Sequence, residues 1–247
     1  MTADPPQAQP HRAPAGTASE AGSGAGGHRG GGQLTQLERS VRAGRRSPAR
    51  AAVTRAGLPA AGSVRRSAVL ALISDTSTPD IVLTRRNAHL NHHAGQVSLP
   101  GGRADPQDAD IVATALREAQ EEVGLQPSTA SVIGTLPATL IAVSSSNVTT
   151  VVASWDGAAP LGIVDPGEVA AIRRVAMSEL ADPAHRARAH HPSGFRGPAF
   201  LLEDLFVWGF TAQLLDEILD AGGWSQPWDR HRVVDIPAEY LGRSLNS

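Results

Sequence analysis

The sequence has no cysteine. That excludes disulfides, a thiolate nucleophile and Cys-ligated zinc, and it accords with a reducing compartment. Lysine is missing too, since all 22 basic residues are arginine. Either a demand for guanidinium chemistry or a coding bias toward Ala, Gly and Pro gives such a composition, and the bias is the simpler account. Aromatic residues are scarce, with four Phe, four Trp and one Tyr, so a core must be built from Val, Leu, Ile and Ala. The net charge of −2 over 247 residues provides no global field for nucleic acid or an anionic membrane. No apolar run approaches the ~20 residues of a bilayer span, and the N-terminus lacks the basic-then-apolar pattern of a signal peptide. A cytoplasmic protein is expected, with neither nucleic acid nor membrane as partner.

What is present divides the chain into four parts. Residues 1–32 are Pro, Ala, Gly and Ser with scattered polar residues and without Leu, Ile, Val or Phe; such a tail buries too little surface to offset its ordering entropy and is predicted to be disordered. Residues 33–64 hold a short amphipathic helix, with Leu34, Leu37 and Val41 on one side, followed by an Arg-rich link. The helix is a candidate interface element for a homodimer. Residues 65–223 form the folded domain, and 224–247 a C-terminal extension without an assigned role.

Within the domain, strands are predicted at 67–74, 81–86, 96–99, 130–136, 148–155, 167–175 and 200–207. Helices are predicted at 110–123 and 208–220, the latter stopped by Gly222-Gly223. A Ser-rich turn is expected at 144–147, and the polar stretch 182–197, with His185, His190 and His191, is expected to be a mobile loop. This order is not a βαβ alternation. It predicts an α/β fold with a mixed sheet and helices on both faces.

The stretch from Leu99 to Leu125 concentrates the chemistry. Gly101-Gly102 permit a tight turn, and Gly124 stands where the following helix should end in a left-handed cap. On the helical wheel, Val112, Leu116, Ala119 and Val123 share one face and Glu118, Glu121 and Glu122 the other. Three adjacent carboxylates repel unless neutralised. A solvated acidic face is one explanation; a hard divalent cation with oxygen ligands, Mg²⁺ or Mn²⁺, is the other. The turn, the spaced loop and the acidic helix together favour a unit that holds metal against a diphosphate.

The segment Arg117-Glu118-Ala119-Gln120-Glu121-Glu122-Val123-Gly124-Leu125 resembles the second half of the Nudix box, G-x5-E-x7-R-E-U-x-E-E-x-G-U, with Ala119 at one aliphatic position. The first half departs: the span from Gly102 to Arg117 is one residue longer, and Asp108 stands where Glu is usual. Loops of this form resemble the coenzyme A pyrophosphatase subfamily, which carries an upstream motif, L-L-T-x-R-S/A-x3-R-x3-G-x3-F-P-G-G. Here Thr84, Arg86, Gly95 and Pro100-Gly101-Gly102 fall in register, while Val82, Asn87, Asn91 and Leu99 depart.

The resemblance implies a Nudix-like α/β/α sandwich and an Mg²⁺- or Mn²⁺-dependent pyrophosphohydrolase. It implies metal on Glu118 and Glu122 with Glu121 assisting, and Arg117 orienting a carboxylate. Arg85, Arg86, Gly95, Gly101 and Gly102 become candidates for substrate binding, and Glu168 for the general base. Coenzyme A is the implied substrate, giving 4′-phosphopantetheine and adenosine 3′,5′-bisphosphate. ADP-ribose, NADH or another nucleoside diphosphate derivative is the alternative, as is a non-catalytic nucleotide-binding regulator. Trp208 is read as a core anchor or an adenine-stacking platform.

Overall fold

The computed structural model describes residues 1, 31–44, 64–90, 93–141 and 145–241. The expectations for most of the N-terminal tail, most of the Arg-rich link, Asn91 and Ser144 lie outside the described residues.

The axis of the fold is β1 (Arg65–Ser74). Its near-continuous apolar run is explained by cover on both faces. Leu70 and Leu72 point to one side, where Val82, Val151 and Ala153 meet Ala115, Ala119 and Val123 of α2 (Ile111–Val123). Ala71 and Ile73 point to the other, against a core that includes Leu37, Leu83, Leu215 and Ile218. The period-2 alternation of one strand thus divides two apolar layers, with helices outside each.

The main sheet runs β3 (Val97–Ser98), β2 (Asp80–Arg86), β1, β7 (Ser146–Trp155), β5 (Ala130–Thr135). Three further strands join it: β4 (Gly101–Arg103) on β1, β6 (Thr139–Ile141) on β7 and β8 (Val169–Ala176) on β2. β1 and β7 are parallel from Arg65↔Ser146 to Ser74↔Trp155, while β2 and β4 lie antiparallel to β1. The sheet is mixed, and the fold is the α/β/α sandwich. Ser146 and Asn147, expected in a turn, already belong to β7.

On the face opposite α2, α1 (Gly31–Arg42) packs against α4 (Gly209–Gly222) and β5. Leu34, Leu37 and Val41 are buried there, and the Ser40 hydroxyl donates to the Ala221 carbonyl at 2.9 Å. The apolar stripe considered as a homodimer interface is therefore covered within its own chain.

Two expectations fail. The stretch 182–197 is not a loop. After the short α3 (Met177–Ala181), β9 (Arg186–His190) and β10 (Arg196–Leu201) form an antiparallel hairpin. Its turn is closed by Gly194 N–H on His191 C=O at 2.8 Å. The sequence RARAH looks polar because its inward positions are only Ala187 and Ala189, both fully buried. Nor is 200–207 one strand, because a turn separates β10 from β11 (Phe206–Val207). The C-terminal extension also acquires a structural role. β12 (Val233–Asp235) pairs parallel with β9, completing a second sheet β11-β10-β9-β12, and Trp224, Ile236 and Tyr240 are buried. The folded unit therefore continues past residue 223.

This second sheet contains a buried cation. Arg186 is paired with Asp216 of α4 and lies between the rings of Phe200 and Trp228, 4.4 and 4.7 Å from their centroids. Burial lowers its pKa.

Candidate active site

α2 is bounded as its sequence dictates. The Asp110 carboxylate caps the first turn, accepting the Ala113 N–H at 2.8 Å. Gly124 ends the helix at φ 69°, with its N–H on Gln120 C=O and the Leu125 N–H on Ala119 C=O, a Schellman closure. The buried face is rotated relative to the wheel. It consists of Thr114, Ala115, Ala119, Glu122 and Val123. The three glutamates do not share one solvated face: Glu122 is buried, Glu118 half-buried and Glu121 exposed.

The glycine pair explains how a carboxylate can lie inside. β4 runs along β1 with Ala68↔Gly102 and Val69↔Gly101. Gly101 has φ 154°, and a Cβ there would lie 2.6 Å from Val69 Cα. A Cβ on Gly102 would lie 2.6 Å from Glu118 Oε1. The missing side chains thus admit the acidic edge of α2. Gly101 N–H donates to Glu122 Oε2 at 3.0 Å.

Two arginines organise the acids. Arg117 donates to both oxygens of Asp108 (2.9 and 3.1 Å), to Glu118 Oε1 (3.0 Å), to Glu121 Oε2 (2.9 Å) and to the Arg103 carbonyl (3.0 Å). Asp108, the irregular carboxylate of the loop, is thus the bidentate partner of Arg117 and also accepts from Asp105 N–H and the Thr114 hydroxyl. These bonds, the Arg117 contact first, hold its pKa well below the usual carboxylate range. Asp108 in turn raises that of Arg117. Arg86 bridges the other pair, with its guanidinium 3.8 Å from Glu122 Oε1 and 3.6 Å from Glu168 Oε2. Its Nε is buried and has no hydrogen-bond partner among the described residues.

Burial pushes the Glu122 carboxyl up to about 7, against the opposing pull of Gly101 N–H and Arg86. Burial also raises Glu118, and each of these two is raised further by the other acids, Glu168 among them. At these two carboxylates burial outweighs the attraction of Arg117 and Arg86. Glu118 and Glu122 supply the hard oxygen donors that Mg²⁺ or Mn²⁺ prefers. Among the described residues no three His, Asp or Glu side chains converge on one cation position, because Glu121 is drawn outward by Arg117 and Glu168 by Arg86. A pair of carboxylates suits Mg²⁺, which is commonly held by one or two carboxylates and completed by substrate phosphates.

The other candidates are placed as follows. Arg85 is exposed and has no assigned partner at the site among the described residues. Gly95 (φ 71°) lies against the C-terminal turn, where a Cβ would approach the Glu239 carbonyl to 3.3 Å, and Gln96 donates to the Tyr240 carbonyl at 3.2 Å. Trp208 is half-buried, packed on the core and stacked on His191 at 5.5 Å between ring centroids. His185, His190 and His191 have separate partners, Glu179 C=O, Asp235 and Ser193, and form no common centre. Three features escaped the sequence: the burial of Glu122, the Asp108–Arg117 pair and the contacts of Asn87. The extra loop residue and the shorter acid at 108 were the available signal for the second, since they set a carboxylate in the loop six residues before Thr114 and nine before Arg117.

Comparison with known proteins shows the family. The family model described as NUDIX domain matches residues 64–195. The uncharacterized Nudix hydrolase NudL of Escherichia coli (strain SMS-3-5 / SECEC) is 39% identical over 169 residues, which is 62% of this chain and 81% of that protein. The protein of the same name from Yersinia pestis (strain Pestoides F) is 40% identical over 157 residues, 61% of this chain and 76% of the relative. Among solved structures, a Nudix hydrolase from M. smegmatis, RenU, is similar at a TM-score of 0.47 and 19% identity, over 67% of this chain and 90% of that one. The chain belongs to the Nudix hydrolase family. It is thus a hydrolase of the pyrophosphate bond in a nucleoside diphosphate derivative, a class that works with a divalent cation.

Proposed function

We propose that the chain hydrolyses the pyrophosphate bond of coenzyme A or its derivatives, giving 4′-phosphopantetheine and adenosine 3′,5′-bisphosphate. The observation that carries this reading is the position of Arg86. It comes from the upstream motif, yet it lies between Glu122 of the box and Glu168 of a distant turn.

Glu118 and Glu122 would hold Mg²⁺ or Mn²⁺, which when bound supplies positive charge to the pyrophosphate oxygens and makes water a better nucleophile. Arg117 keeps Glu118 in place and balances its charge, and Asp108 fixes Arg117. Arg86 provides a guanidinium for a phosphate oxygen. Glu168, half-exposed at the rim, accepts the proton of the attacking water. Water attacks one phosphorus, the bridging P–O bond breaks, and the other phosphate leaves with its electron pair.

The test is the purified full-length chain with Mg²⁺ or Mn²⁺ and, separately, coenzyme A, ADP-ribose and NADH. Faster turnover of coenzyme A, lost on chelation, supports the proposal. Faster turnover of either other compound moves the substrate assignment. Binding of nucleotides without cleavage of any contradicts the assigned chemistry.

A further inference from the structure

Glu168 is held only loosely by its own side chain. The carboxylate is about half exposed and its one described ion pair, with Arg86, is 3.6 Å long. Its position must come from the backbone that carries it. That backbone is the turn 165–168, organised by Asp165: its carboxylate accepts the Gly167 and Glu168 N–H groups at 2.8 and 3.3 Å, and its carbonyl accepts the N–H groups of Glu168 and Val169 at 3.2 and 2.9 Å. Such bonds stiffen the turn without fixing it to the site.

Two attachments do fix it. Upstream, Gly162 N–H and Val164 N–H donate to the Val123 and Glu122 carbonyls at the end of α2, at 3.1 and 3.2 Å. Downstream, the β2–β8 ladder ends at Arg86↔Val169 after an irregular step, and Asn87 takes over. Its backbone N–H donates to the Glu168 carbonyl at 2.7 Å, and its side-chain Nδ2 donates to the Pro166 carbonyl at 2.9 Å. Its Oδ1 accepts the His89 N–H at 3.1 Å, which orients the amide. Pro166 has no N–H, so its carbonyl is the only main-chain group by which it can be held.

We propose that Asn87 is a positioning residue that straps the 165–168 turn to the end of β2 and thereby sets Glu168 across Arg86 from Glu122. The pair Arg86-Asn87 then fixes both partners of the bridge, one through its guanidinium and one through its amide. A shorter side chain at position 87 has no group that spans to Pro166. This inference rests on the reading of Glu168 as the proton acceptor, and a displacement of about 1 Å at such a group costs on the order of a hundredfold in rate.

The experiment compares wild type, Asn87→Ala, Asn87→Asp, Glu168→Gln and the double variant Asn87→Ala/Glu168→Gln, as full-length chains with Mn²⁺ and the substrate that turns over fastest. Asn87→Asp keeps the acceptor for His89 but presents an oxygen to the Pro166 carbonyl. Both Asn87 variants should lose about ten- to a hundredfold in kcat at nearly unchanged KM. In the double variant the Asn87 change should add nothing to the loss from Glu168→Gln. Amide hydrogen exchange at Gly167 and Glu168 should accelerate in both Asn87 variants, with exchange in β1 unchanged. Unchanged exchange in the turn overturns the proposal, as do additive rate losses. If Glu168→Gln retains full activity, the assignment of the base fails instead, and faster exchange in the Asn87 variants then supports the strap while unchanged exchange overturns it.

Discussion

The replacement Glu122→Gln separates the stability of the metal-free fold from its chemistry. Glu122 is about 5% exposed, and burial holds its carboxyl near 7 instead of the ordinary 4.5. Because the folded-state value is raised, the unfolded chain releases this proton more readily. Ionisation therefore penalises the native state: the cost is absent below pH 4.5, grows between about 4.5 and 7, and is fully developed above that window. A difference of this size corresponds to about 3 kcal/mol. Glutamine keeps an acceptor for Gly101 N–H but cannot ionise. In chelator, the stability of Glu122→Gln relative to wild type should therefore rise by about 3 kcal/mol from pH 4 to pH 8. Any constant offset from the weakened contact with Arg86 cancels in that comparison. Urea unfolding at four or five pH values measures it. Added Mn²⁺ should then raise the melting temperature of wild type but not of the variant, and hydrolysis should be lost in the variant. A pH-independent stability difference would refute the buried, metal-ready carboxylate.

Three further outcomes are expected. Gly102→Ala puts a methyl group 2.6 Å from Glu118 Oε1, so it should weaken Mn²⁺ binding in calorimetry and lower kcat/KM by at least about tenfold, roughly 1.4 kcal/mol. Leu37→Ala empties a fully buried position of α1; it should cost about 2–5 kcal/mol in chemical unfolding and leave kcat/KM of the folded enzyme unchanged. Asp216→Ala leaves the Arg186 guanidinium buried without its counter-charge and should destabilise the fold by about 3–5 kcal/mol, again read by chemical unfolding.

The sandwich was legible because its signals are local. β1 is a run of apolar residues, α2 has a capping Asp110 and a terminal Gly124, and Gly222-Gly223 closes α4. The second sheet was not, because the inward positions of β9 are alanines and the large buried side chain of that strand, Arg186, belongs to a residue type that is seldom buried. β12 depends on pairing with a strand more than forty residues earlier, which no local pattern announces. At the site, the spacing of Arg117, Glu118 and Glu122 was readable, but the depth of Glu122 was not. It follows from the close approach of β4, which a helical wheel does not contain. Asn87 stood in the sequence only as a departure from a motif, and its contacts with Pro166 and Glu168 depend on a turn nearly eighty residues away.

Glu118, Glu122 and Arg86 are proposed to form a metal-assisted site for the pyrophosphate of coenzyme A. Its most direct test is product identification by mass spectrometry after incubating coenzyme A with the full-length chain and Mg²⁺ in ¹⁸O-labelled water. Wild type should yield 4′-phosphopantetheine and adenosine 3′,5′-bisphosphate in equal amounts, with one ¹⁸O on one of the two, and Glu122→Gln should yield neither. Intact coenzyme A, or release of inorganic phosphate in place of the two halves, would contradict it.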